Sequence, residues 1–291
     1  MTNMSNIWSG VLPAITTPFD EDLDIDRAFL TRHCQWLIDN GCSGIVALGS
    51  LGEGATLSLN EKHDILRTTV IAVGSRVPVI AGVSALSTHE AIELAKIAEE
   101  AGCQGLMVLP PYVYIGDWRE MKAHVSAVLE ATPLSAILYN NPVAYTTDFL
   151  PHQVAELLAE HPNLNAIKES SADVRRVAAL RAVAGDRLHI LCGVDDLIVE
   201  ALAMGAEGWI AGLVNAFPKE SVELFETRDW KLYQWFLPLL RMDTVPKFVQ
   251  LIKLAQQEVG MGNERVRAPR LPLVGSEREG SLAIIRAALR R

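Results

Sequence analysis

The chain has 291 residues, 49% of them hydrophobic and 21% charged, with a formal net charge of −9. That composition supports a substantial core and excludes wholesale disorder. The acidic balance excludes a general nucleic-acid or membrane-surface binder, and no stretch is apolar for long enough to form a membrane helix.

Residues 1–9 carry neither the positive charge nor the apolar run of a signal peptide. Residues 10–19 (GVLPAITTPF) are apolar and β-branched and predict a first strand. Asp26 caps a helix that runs to about Asn40, and Gly41 stops it. A second strand over 44–48 leads into the turn Gly49-Ser50-Leu51-Gly52-Glu53, and a helix capped by Asn60 follows. Strands are then predicted over 78–83, 105–109, 134–139, 164–168, 188–193 and 208–213. Helices over 87–101, 118–131, 147–160, 171–184 and 195–204 lie between them. After Asn215 no strand is evident, and 220–227, 231–242, 246–259 and 281–290 predict helices.

Eight strands alternating with helices, each a continuous apolar run, are the pattern of parallel strands buried on both faces. The joints Gly41-Cys42-Ser43-Gly44, Gly102-Cys103-Gln104-Gly105 and Gly205-Ala206-Glu207-Gly208 repeat one device between helix end and strand start. No G-x-G-x-x-G turn follows the first strand, so an open doubly wound sheet is disfavoured. The expected fold is a TIM (β/α)8 barrel over residues 1–225 with a C-terminal helical extension over 226–291.

In such a barrel the chemistry lies at the C-terminal ends of the strands. Lys168 ends the sixth strand in Asn165-Ala166-Ile167-Lys168-Glu169-Ser170, and Tyr139 ends the fifth. A desolvated lysine is a nucleophile suited to a Schiff base, and a tyrosine hydroxyl can both give and take a proton. The plainer alternatives are a lysine in water or paired with Glu169, and a core tyrosine. In the glycine-rich turn, backbone N–H groups and the Ser50 hydroxyl can face one anion; the plainer alternative is a tight turn. The histidines show no metal-ligand spacing, so no metal is expected. Cys34, Cys42, Cys103 and Cys192 form no C-x-x-C pair and fit a reduced, cytoplasmic protein with packing cysteines.

Together Gly49-Ser50-Leu51-Gly52-Glu53, Tyr139-Asn140-Asn141-Pro142, Ile167-Lys168-Glu169-Ser170, Gly193-Val194-Asp195-Asp196 and Arg267-Ala268-Pro269-Arg270-Leu271-Pro272 resemble the dihydrodipicolinate synthase / N-acetylneuraminate lyase family. The resemblance implies a homotetrameric TIM barrel that needs no cofactor. It implies that Lys168 forms an imine with pyruvate or another 2-oxo acid, that Tyr139 moves protons, and that Ser50 and Leu51 hold the carboxylate. Ile210 matches a position whose backbone carbonyl faces pyruvate.

Three positions depart from the synthase pattern. Leu51 lacks the usual threonine hydroxyl, Val113 stands for a tyrosine that reaches into a neighbouring subunit, and Ala144 stands for an arginine that binds the second substrate. The expectation is therefore an aldolase joining or splitting pyruvate and an aldehyde. The alternatives are the synthase itself, a dehydratase or deaminase of a hydroxylated 2-oxo acid, and, outside enzymes, a 2-oxo-acid sensor.

Overall fold

The computed structural model describes residues 7–112 and 114–290. Its first half runs β1 (Gly10–Pro13), α1 (Arg27–Asp39), β2 (Ile45–Ala47), α2 (Leu59–Val73), β3 (Val79–Val83), α3 (Thr88–Ala101), β4 (Gly105–Val108) and α4 (Trp118–Glu130). There follow β5 (Ser135–Asn140), α5 (Pro142–Tyr145), α6 (Pro151–Glu160), β6 (Leu164–Glu169), α7 (Arg175–Ala184), β7 (His189–Cys192), α8 (Ile198–Ala203) and β8 (Gly208–Ala211). The chain ends with α9 (Pro218–Thr227), α10 (Trp230–Leu240), α11 (Phe248–Glu258) and α12 (Gly275–Leu289).

All eight strands lie parallel in one sheet, in the order β1-β8-β7-β6-β5-β4-β3-β2. The sheet closes where β1 meets β2. There Ser43 N donates to Val11 O at 2.8 Å, Ile15 N to Val46 O at 2.9 Å, and Ala14 bridges Val46. The result is the expected barrel. Its strands are buried throughout β2, β3, β4 and β8, because an apolar run with no alternation suits a strand with side chains packed inside and helices outside. At the far end from the strand tips, Trp8 fills the floor, with its indole N–H on Ser135 Oγ at 2.8 Å.

The three repeated joints share one geometry: Gly41, Gly102 and Gly205 have φ of 96°, 88° and 101°, a conformation that costs a side-chain-bearing residue energy. Several boundaries differ from expectation. The regular first strand ends at Pro13; Ala14 and Ile15 still bond to Ala211 O and Val46 O, and beyond them the Thr16 and Thr17 hydroxyls turn to Gln256 Oε1 (2.8 Å) and Gly52 O (2.6 Å). The cap of α2 is Ser58, in a reciprocal capping box with Glu61, and not Asn60. The helix expected over 147–160 is α6 and starts only at Pro151, and an unexpected single turn, α5, precedes it; Pro142 and Pro151 each open a helix and Thr146 between them is left-handed.

The C-terminal helices share the barrel's core. In α11 the run from Val249 to Gln256 is buried, and Gln256 accepts the Thr16 bond just noted. This shared packing, and not a separate core, gives the extension its place beside the mouth of the barrel.

Candidate active site

Lys168 and Tyr139 are directly paired in the β5–β6 register and point the same way. Both are nearly out of water, at 7% and 6% exposed. The Lys168 ammonium sits over the Tyr139 ring, 4.2 Å from its centroid, a contact that offsets part of the cost of a buried cation. Among the described residues no carboxylate lies within ion-pairing distance of Lys168. Glu169, the partner of the plainer reading, points to the other face, as strand alternation requires. Its carboxylate accepts from Asn140 Nδ2 at 3.0 Å and Ser171 N at 2.6 Å, and burial raises its pKa.

Each residue of Tyr139-Asn140-Asn141-Pro142 has a separate task. Asn140 is fully buried and ties Glu169 to Asp148, which in turn holds Arg176 at 2.8 Å. Asn141 caps α5 through Ala144 N at 3.0 Å and gives its amide N–H to the Tyr139 hydroxyl at 2.9 Å. Pro142 opens α5. That single turn delivers Tyr145 to the Ser50 hydroxyl, with which it is hydrogen-bonded. Tyr145 also lies edge-on to Tyr139, with centroids 5.8 Å apart, and against Tyr112 at 5.4 Å. Burial, then the Tyr139 and Tyr112 hydroxyls, push its pKa up, which keeps it a neutral donor. A continuous path of contacts thus runs Ser50–Tyr145–Tyr139–Lys168. Tyr145 is the residue that pattern reading missed: one helical turn is too short to give a periodic signal.

The tips of β7 and β8 supply the opposite wall. A Cβ at Gly193 would come 2.6 Å from Lys168 Cε, so only glycine leaves the lysine its place. The adjacent Ser170 hydroxyl is buried and has no partner among the described residues. Asp195 is fully buried, accepting from Trp209 Nε1 (2.9 Å) and from the N–H groups of Gly212 (3.1 Å) and Leu213 (2.8 Å). Burial pushes its pKa up to about 6. It thereby fixes the end of β8, where Ile210 is buried in register with Leu12. Leu51 is buried in the Gly49–Glu53 turn at 3% exposure. Ala144 is exposed on α5, and Val113 lies outside the described residues. Among those described, no cluster of side chains suits a metal ion.

Comparison with known proteins agrees with this fold. The Dihydrodipicolinate synthetase family matches residues 7–288. A 4-hydroxy-tetrahydrodipicolinate synthase of Geobacter metallireducens is 34% identical over 288 residues, covering 96% of this chain and 98% of that protein. The crystal structure of dihydrodipicolinate synthase from Aquifex aeolicus superposes with a TM-score of 0.92 at 26% identity, covering 96% of this chain and 97% of that one. YagE, a prophage protein of Escherichia coli K12 in the same family and solved in complex with pyruvate, superposes with a TM-score of 0.91 at 27% identity, covering 97% and 99%.

Proposed function

This chain belongs to the dihydrodipicolinate synthetase family, and from that premise we propose that Lys168 is the residue on which its pyruvate chemistry is built. As a member it is a lyase that works through an imine of pyruvate. In our reading the Lys168 amine attacks the ketone carbon, water leaves, and the iminium draws electrons from the neighbouring carbon. An enamine results, which forms or breaks a carbon–carbon bond to an aldehyde; hydrolysis then frees the lysine. The lysine itself is the electron sink. The observation that carries this reading is a buried amine at a strand tip with an aromatic face beneath it and, among the described residues, no carboxylate at ion-pairing distance.

Tyr139 moves the protons, Ser50 and the N–H groups around Leu51 hold the substrate carboxylate, and the Ile210 carbonyl faces it. We assign Tyr145 a part as well. It is hydrogen-bonded to Ser50, and so offers from the same chain a hydroxyl that Leu51 and Val113 do not. The second substrate is read as an aldehyde without its own carboxylate, because Ala144 offers that group no cation. The reading extends to a homotetramer in the cytoplasm, with residues 1–225 as barrel and 226–291 as extension. Tyr114, Ile115 and Val143, large apolar side chains left exposed near the mouth, favour assembly, and no described helix is long and apolar enough to cross a membrane. Light scattering at micromolar concentration tests the assembly, and a monomer mass would refute it.

Borohydride reduction in the presence of pyruvate tests the chemistry. The expected product is one reduced pyruvyl group per chain, mapped to Lys168 by peptide mass. An unmodified chain at saturating pyruvate would end this reading.

A further inference from the structure

Glu53 ends the turn that contains Ser50 and Leu51, and its side chain is 0% exposed. Two hundred residues later Lys253, on α11, is 2% exposed and meets it at 2.6 Å. The same carboxylate accepts the Arg267 backbone N–H at 3.0 Å and lies 3.9 Å from the Arg270 guanidinium. Lys253 also donates to Arg265 O at 2.6 Å. Lys253 and Arg267 both lie against Phe19, at 4.4 and 4.6 Å from its ring centroid.

A buried ion pair is a poor way to gain stability, since well-packed apolar residues do as well or better. Its position suggests another use. The turn is strained: Leu48 and Glu53, neither of them glycine, have φ of 65° and 54°, and such residues persist only where their surroundings over-determine them. The turn's internal bonds are few, Glu53 N to Ser50 O at 3.1 Å and Gly54 N to Gly49 O at 3.3 Å. The groups that hold the Glu53 carboxylate come from the C-terminal extension.

We infer that Glu53 and Lys253 are positioning residues through which the C-terminal extension sets the shape of the carboxylate-holding turn. The extension thereby governs affinity for the 2-oxo acid while leaving the lysine chemistry untouched. This rests on the role proposed above for Ser50 and Leu51.

The test compares the full chain with Lys253→Met and with the double variant Glu53→Gln/Lys253→Met. Each is assayed for the rate of pyruvate adduct formation under borohydride across a range of pyruvate concentrations. Lys253→Met should raise the half-saturating pyruvate concentration about tenfold or more, the scale of one charged hydrogen bond, with the rate at saturation within about twofold of wild type. The double variant, which removes the buried carboxylate together with its lysine, should recover part of the affinity. If Lys253→Met does not fold, the double variant alone decides: a raised half-saturation supports the inference. An unchanged half-saturation in a folded variant overturns it, as does a loss confined to the rate at saturation. Wild type that forms no adduct would instead refute the assignment of Lys168.

Discussion

Lys168 and Lys253 make an instructive pair. Both are nearly buried, at 7% and 2% exposed, and both lie over an aromatic ring, Tyr139 at 4.2 Å and Phe19 at 4.4 Å. What differs is the rest of the shell. Lys253 has the Glu53 carboxylate and the Arg265 carbonyl, both at 2.6 Å. Among the described residues Lys168 has neither kind of partner and is bordered instead by the bare backbone of Gly193. Burial and an aromatic face therefore do not mark a reactive lysine. In our reading the absence, among the described residues, of a carboxylate at ion-pairing distance does, because an ammonium held by a carboxylate has no lone pair to offer a ketone.

The sharpest way to break this contrast is to remove each amine in turn. Lys168→Met should abolish the pyruvate adduct and lower turnover by at least about 10⁴-fold while the thermal midpoint holds, since no ion pair within the described residues is broken. Lys253→Met should do the reverse, retaining the adduct but losing about 3–5 kcal/mol of stability, because Glu53 is left buried without its cation. Mass spectrometry and urea unfolding on the two variants read both effects. A stable Lys253→Met, or an unstable Lys168→Met, would erase the distinction.

The pH dependence of stability sharpens it. Burial, partly opposed by Glu53, pushes the Lys253 pKa from 10.5 down to about 8. Between those values the unfolded chain holds the proton more often than the folded one, so the group's contribution rises with pH. It is complete above the unfolded value and lost as pH falls through the folded one. The stability difference between wild type and Lys253→Met should grow as pH rises from 8 to 10.5. A difference that stays flat across that window would mean that Lys253 keeps its unfolded affinity for protons.

Around Lys168 the smaller effects concern its neighbours. Tyr145→Phe should slow deuterium exchange into the pyruvate methyl group by about 100-fold, the lower range of general acid–base catalysis, with the same final yield of borohydride adduct. If exchange is unaffected, Tyr145 only packs against Tyr139. Last, Ala144→Arg should raise kcat/KM for aspartate semialdehyde by about tenfold. Efficient turnover of that aldehyde by wild type would show that this chain is a synthase without the arginine.

Much of this site was legible in the chain. Lys168 and Tyr139 interrupt apolar runs, and a parallel strand buried on both faces leaves no other reason for a polar side chain except at its tip. Ser58-Leu59-Asn60-Glu61 carried its capping box openly, although Asn60 was the more conspicuous cap. Tyr145 was hidden because its helix is a single turn. The Glu53–Lys253 pair was hidden for a different reason: no local pattern links residues 200 apart, and a lysine in an amphipathic helix such as α11 ordinarily faces water.

The closure of the barrel gives the extension one more meaning. β1 and β2 are joined by few bonds, and the loops that leave them are those the extension grips. Asn263 donates to Phe19 O at 3.1 Å, Arg267 to Leu23 O at 2.7 Å, and Lys253 holds Glu53. The seam is thus clasped by residues that follow all eight strands in the chain. During synthesis the ribosome releases every stave before it releases the clasp. In the finished protein the amides of Ser43 and Ile15 should be among the first strand-edge protons to exchange with deuterium, and sooner still when the clasp is cut.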